Sequence, residues 1–142
     1  MKYQMNIGLF GGTFNPIHIG HIKLIQNFID ELNLDVCIVV PTYISPFKTH
    51  LEKPNEYHNS LRLLMLSKSL EDNEKVIIDD YELKKKGISY TIDTIEYIIQ
   101  TYHTKKIFLH VGADQIKAFE EWKSWEEILK NTTLAISKRS TD

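Results

Sequence analysis

Residues Ile7–His21 read IGLFGGTFNPIHIGH. An apolar run, Ile7, Leu9 and Phe10, leads into Gly11-Gly12-Thr13, and two histidines three residues apart follow where an amphipathic pattern begins. Strand, glycine turn and helix start make an arrangement suited to phosphate. Small residues let the backbone come close to an anion, and the unpaired N–H groups of a helix's first turn point at it. His18 and His21 fall on one face of that turn, so two imidazoles meet whatever the amides hold. The same residues also fit a tight structural connection or half of a zinc site. Against zinc, the helical metalloprotease pattern needs His at i and i+4 with a Glu between them, and the chain's one Cys offers no Cys pair. The glycine spacing is neither that of a dinucleotide fingerprint nor that of a P-loop, which requires Gly-Lys-Ser/Thr.

Outward from this segment, short apolar runs alternate with helical patterns. Met5–Phe10, Val36–Val40, Val76–Ile78, Ile107–Val111 and Leu134–Ile136 are rich in Ile and Val, as expected of parallel strands covered on both faces. Between them, apolar residues recur at helical spacing in Gly20–Leu32, in Leu61–Leu70 (Leu63, Leu64, Leu66, Leu70) and in Thr91–Tyr102. The alternation predicts an α/β protein with a doubly wound, Rossmann-like, parallel five-stranded sheet, helices on both faces and ligands outside the carboxyl ends of the strands.

A length of 142 residues suits one domain with a sizeable core, and 42% hydrophobic with 25% charged residues is ordinary for a globular chain. A net charge of −2 argues against a broad nucleic-acid surface. Cys37, alone in an apolar run, reads as a buried free thiol, and without a disulfide framework the chain suits a reducing compartment. No secretory leader pattern opens the sequence and no apolar stretch nears the length of a membrane span. The expectation is a cytoplasmic protein with neither nucleic acid nor membrane as partner.

The chemically useful residues follow strand ends. Ser45-Pro46-Phe47-Lys48, with His50 close by, sits in the long loop Pro41–Tyr57; Lys48 is either a solvated lysine or a mobile point charge for phosphates. Gly87–Thr94, GISYTIDT, reads as a turn and an N-capped helix, with Thr91 and Thr94 as the capping hydroxyls. Val76–Leu83 followed by Lys84–Lys86 ends in a solvated basic corner. Gly112 reads as a turn residue and Asp114 as a helix cap, while Phe119, Trp122 and Trp125 read as an aromatic stripe on one helix. Arg139 follows the last strand.

Taken together, Gly-Thr-Phe-Asn-Pro, His-Ile-Gly-His, Ser-Tyr-Thr-x-Asp-Thr and Gly-Ala-Asp…Trp resemble, in order from Asn6 to Arg139, the nicotinate mononucleotide adenylyltransferases of the HxGH nucleotidyltransferase superfamily. The resemblance implies adenylyl transfer from ATP to nicotinate mononucleotide in NAD biosynthesis, by in-line displacement at the α-phosphorus. The resemblance also implies Mg²⁺ carried with the ATP, and no dedicated protein site for it is predicted. It implies that His18, His21 and Lys48 act on the triphosphate, and that Gly11, Gly12, Thr13, Phe14, Asn15, Gly112, Asp114 and Arg139 bind ATP. It further implies that Ser89, Tyr90, Thr91 and Trp122 hold the pyridine nucleotide. Asn15 replaces the family's Asp, and Phe47 its His. The family continues past the equivalent of Asp142 into a strand and an Ile-Ser-Ser-Thr-x-Ile-Arg phosphate segment. Residues 1–142 are accordingly expected to form one nucleotidyltransferase domain without that C-terminal subdomain. Alternatives are a pantetheine-phosphate adenylyltransferase, a cytidylyltransferase, or a truncated, non-catalytic nucleotide-binding module. Preference between nicotinate and nicotinamide is left open, as is oligomeric state.

Overall fold

The structure is a computed structural model that describes residues 4–49 and 54–138. Strands β1 (Met5–Gly12), β2 (Val36–Pro41), β3 (Val76–Ile78), β4 (Thr104–Gly112) and β5 (Thr133–Ser137) form one sheet in the order β3-β2-β1-β4-β5. Every neighbouring pair is parallel. The helices are α1 (Ile19–Leu32), α2 (Glu56–Leu70), α3 (Tyr81–Lys85), α4 (Thr91–Thr101), α5 (Ala113–Ile116) and α6 (Trp125–Asn131). The expected doubly wound α/β architecture is therefore present, with each strand on the apolar run that predicted it.

Alternate strand residues feed two cores. Ile7, Leu9, Ile38, Val40, Ile107 and Leu109 pack with Ile92, Ile95 and Ile98 of α4 and Ile128 of α6. Phe10, Cys37 and Val39 pack on the other face with Ile25, Phe28 and Ile29 of α1 and Leu66 and Leu70 of α2. Helices on both faces are why consecutive strand residues are apolar, and β2 is buried along its whole length. At Gly8 a Cβ would come within 2.4 Å of Leu34 Cδ1 and 2.6 Å of Phe28 Cε2, so α1 and the turn after it sit directly on β1.

Two expectations need correction. Helix α2 begins at Glu56 rather than Leu61, because Asn55 Oδ1 accepts the His58 N–H at 3.0 Å and caps it. Its inward face keeps Leu66 and Leu70 as expected but adds Asn59 and Arg62, while Leu64, with Leu61 and Met65, is exposed. The aromatic stripe is not on one helix. Phe119–Glu121 form a 3₁₀ turn, Trp122 is extended (φ −74°, ψ 136°), Ser124 is left-handed (φ 56°), and α6 starts afresh at Trp125. Phe119 is buried, and Trp122 and Trp125 are only partly so.

The basic corner is exposed as expected, its lysines paired with carboxylates, for example Lys85 Nζ with Asp93 at 3.4 Å and Lys86 Nζ with Glu56 at 3.5 Å. The short α3 leading into it, too brief for a periodic signal, buries Glu82. Among the described residues no helix is long and apolar enough to cross a membrane.

Candidate active site

A cavity of about 390 Å³ opens over the carboxyl ends of β1, β2 and β4, where the strand order reverses about β1. Gly11, Gly12 and Thr13 of the turn after β1, Lys48 of the loop after β2, Ser89, Tyr90 and Thr91 at the start of α4, and Trp122 all line it. Residues far apart in sequence thus share one space. Phe14, Asn15, His18 and His21 continue the same turn into α1 beside that lining, and Gly112 and Asp114 stand at the end of β4 next to it. Arg139 and His50 lie outside the described residues.

The His-Ile-Gly-His segment caps its own helix. His18 is the N-cap of α1, and its Nδ1 accepts the Gly20 N–H at 3.1 Å. His21 Nδ1 in turn accepts the His18 N–H at 3.1 Å. With both Nδ1 atoms accepting, each neutral ring carries its proton on Nε2, an assignment made from these bonds. The rings stack at 3.7 Å between centroids, so two Nε2–H donors stand side by side at a helix N-terminus, where an anion is favoured. Burial, then the neighbouring His18, lowers the His21 pKa, so His21 stays neutral near pH 7 without losing its donor. Gly20 is needed between them: a Cβ there would lie 2.9 Å from His18 Cε1.

The turn ahead of α1 is held from below by Arg62, which stands in no sequence motif. Phe14 has φ 46°, in the left-handed region that bulky side chains rarely adopt. Its ring is buried against Phe10 and meets His21 edge-on at 5.1 Å. Arg62 donates to the Thr13 carbonyl, to the Thr42 carbonyl at 2.8 Å and to Asn59 Oδ1 at 2.8 Å. Asn59 Nδ2 is then left without a partner among the described residues. An unpaired buried donor costs about 1–3 kcal/mol, a cost set against the hydrogen bond that the Asn59 oxygen accepts from Arg62. Asn15 Oδ1 pairs with His58 Nε2 at 2.9 Å, a second tie from this turn to α2.

At the opposite wall, α4 starts at Tyr90 with no side-chain cap, which corrects the expected hydroxyl cap and leaves first-turn N–H groups open to an anionic ligand. Thr94 instead donates to the buried Glu82 at 2.6 Å. Burial raises the Glu82 pKa, opposed by hydrogen bonds from Thr94 and Ser89. Ser89 Oγ accepts the Tyr43 N–H at 3.0 Å and Ser89 N–H donates to Ile44 at 2.8 Å, which pins the loop after β2 to α4. Beyond it, Ser45 turns the chain, its carbonyl accepting the Lys48 N–H at 3.1 Å. Lys123, whose ammonium lies 4.4 Å over the Tyr90 ring, adds a cation beside Trp122. Glu82 and Lys123 carried no motif that singled them out.

At the end of β4, Gly112 is the cap of α5, its N–H held by Gln115 Oε1 at 3.1 Å, and Asp114 lies within the first turn; the cap is thus Gly112, not Asp114. Preceding it, His110 stacks on Phe10 at 4.3 Å and pairs with Ser137 Oγ at 2.7 Å. Burial pushes its imidazole down to about 4.

A parallel sheet whose carboxyl edge carries a glycine turn, paired imidazoles and a separate uncapped helix N-terminus has the architecture of a nucleotide-handling α/β protein. The chain belongs to the cytidylyltransferase-like family, whose model matches residues 9–142. It is 37% identical over 138 residues to the probable nicotinate-nucleotide adenylyltransferase of Aliarcobacter butzleri, covering 96% of this chain and 72% of that protein. It is 39% identical over 134 residues to the protein of the same name from Aquifex aeolicus, covering 92% and 76%. Its fold matches Plasmodium falciparum nicotinic acid mononucleotide adenylyltransferase complexed with NaAD (TM-score 0.63, 18% identity, 96% of this chain and 75% of that one).

Proposed function

We propose that this chain transfers the adenylyl group of ATP to the 5′-phosphate of nicotinate mononucleotide, giving nicotinate adenine dinucleotide and pyrophosphate. One observation carries the reading: the phosphate turn and the uncapped start of α4, with Trp122, open into a single cavity. A mononucleotide lying there offers its phosphate to the first and its ring carboxylate to the second.

The acceptor's phosphate oxygen attacks the α-phosphorus, a new P–O bond forms, and the bond to the β-phosphate breaks with its electrons leaving on pyrophosphate. The attacking oxygen is already anionic, so no general base is required. Catalysis then consists of positioning and charge stabilisation. Mg²⁺ enters as part of the ATP substrate. The Nε2–H groups of His18 and His21 meet the β- and γ-phosphates, with His21 nearest the developing charge. Thr13 and the backbone from Gly11 to Asn15 hold the phosphate junction, and Lys48 neutralises the triphosphate. Gly112 and Asp114 take the nucleoside side of ATP. Ser89, Tyr90 and Thr91 receive the carboxylate, and Trp122 stacks on the pyridine ring. The reading places the enzyme in the cytoplasm, where the buried thiol of Cys37 stays reduced.

The test is to mix the protein with MgATP and nicotinate mononucleotide, follow pyrophosphate, and identify the dinucleotide by chromatography. Phosphopantetheine with ATP, and sugar or alcohol phosphates with CTP, are run alongside. Product from one of those acceptors and none from nicotinate mononucleotide overturns the assignment.

A further inference from the structure

We propose that Arg62 is a positioning residue of the reaction. Its guanidinium holds the Thr13–Phe14 and Thr42–Tyr43 peptides in the orientation that presents the phosphate turn and the Lys48 loop to the ATP phosphates. The inference rests on the adenylyl-transfer reading of the site.

Arg62 is 5% exposed, and its hydrogen bonds go to backbone oxygens of two different loops and to Asn59. Those loops leave adjacent strands in register, Gly12 opposite Pro41, and are laced once more by the Thr42 N–H on the Gly12 carbonyl at 2.9 Å. In a trans peptide the C=O and N–H point in opposite directions. Fixing the Thr42 carbonyl on Arg62 therefore aims the Tyr43 N–H away from α2, and that N–H is found on Ser89 Oγ at the start of α4. Fixing the Thr13 carbonyl likewise aims the Phe14 N–H away from Arg62.

Phe14 is the residue with φ 46°, and such a conformation persists only where its surroundings over-determine it. Arg62 constrains it through the Thr13 carbonyl, and the packing of its ring on Phe10 and His21 does so through the side chain. The constraint thereby reaches His21 itself. The composition of α2 agrees: the helix buries Arg62 and Asn59 while Leu64 is 55% and Met65 44% exposed, the reverse of what apolar burial alone selects. Lysine cannot replace the fork, because a single ammonium does not bridge two carbonyls in fixed planar geometry.

The experiment compares wild type, Arg62→Lys and Arg62→Ala, each checked for fold by circular dichroism and thermal unfolding. In folded Arg62→Lys, turnover falls on the order of 10²-fold, MgATP binding by calorimetry weakens by about tenfold or more, and KM for nicotinate mononucleotide, reached only through the Tyr43–Ser89 contact, rises by clearly less than MgATP binding weakens. Added guanidinium ion restores Arg62→Ala turnover by about tenfold or more and leaves wild type unchanged. If Arg62→Ala does not fold, the Arg62→Lys comparison decides. A folded variant with turnover within about threefold of wild type overturns the proposal. So does a loss shared equally by the KM of both substrates, or guanidinium restoring the unfolding midpoint without restoring turnover. Wild type making no dinucleotide from ATP and nicotinate mononucleotide overturns the function reading instead. The MgATP titration then still decides Arg62: weaker binding in Arg62→Lys supports its role and unchanged binding removes it.

Discussion

Replacing Gly20 by alanine separates the imidazole pair from the helix that carries it. A Cβ at this position would sit 2.9 Å from His18 Cε1 and 3.0 Å from Nδ1, so the ring must leave its cap. The 3.1 Å hydrogen bond from the Gly20 N–H goes with it, and losing a side-chain cap costs about 0.5–2 kcal/mol. Alanine for glycine within a helix returns about 0.8–1.0 kcal/mol. The two nearly cancel, leaving a net change within about 1 kcal/mol, a Tm shift of about 2–4 °C or less for a chain of this size. Turnover responds differently. Displacing His18 breaks the 3.7 Å stack on His21 and removes one of two paired donors, a loss on the order of 10²–10³ in kcat when the donor is preorganised. Thermal unfolding is paired with pyrophosphate release and with NMR of the imidazole C–H signals. A Gly20→Ala protein that turns over within about threefold of wild type refutes the reasoning. Unchanged His18 resonances do so as well.

His21→Ala loses about 2.7–4 kcal/mol of transition-state stabilisation with the fold retained, read from kcat and circular dichroism; near-normal turnover removes His21 from the mechanism. Gly8→Ala presses a methyl into Leu34 and Phe28 and destabilises by about 1–3 kcal/mol, measured by urea unfolding. The folded-state pKa of His110, about 4, lies below its unfolded value, so the unfolded chain binds the extra proton between them. Stability is therefore full above about pH 6.5 and falls by up to about 3 kcal/mol as pH drops towards 4. His110→Phe flattens that limb of the stability curve in urea unfolding followed against pH, and an unchanged limb contradicts the assignment. The thiol of Cys37, buried and raised to about 12, resists alkylation in the native state and reacts on unfolding; rapid native labelling contradicts the burial.

Much of the fold was legible because strands covered on both faces form short apolar runs, continuous in β2, a signal that needs no partner to be read. The α2 face is only partly legible: Leu66 and Leu70 are buried but Leu64 points outward, and hydrophobic periodicity carries no information about a buried arginine. The segment after β4 departs from the helical pattern because the extended Trp122 and the left-handed Ser124 separate Phe119, in a 3₁₀ turn, from Trp125, at the start of a new helix. In the candidate site, residues with neighbours of known motif were found, whereas Arg62, Glu82 and Lys123 stand in no local pattern.

The glycine turn and the paired histidines after it are readable from the chain alone because their contacts are local: His18, Gly20 and His21 bind one another within a single helical turn, and that geometry follows from backbone periodicity. Arg62 meets Thr13 across 49 positions and Thr42 across 20. Those carbonyls become its partners only once sheet register sets β1 beside β2 and burial excludes the water that would otherwise satisfy all three groups. The donors were written locally; the frame that aims them exists only in the folded sheet.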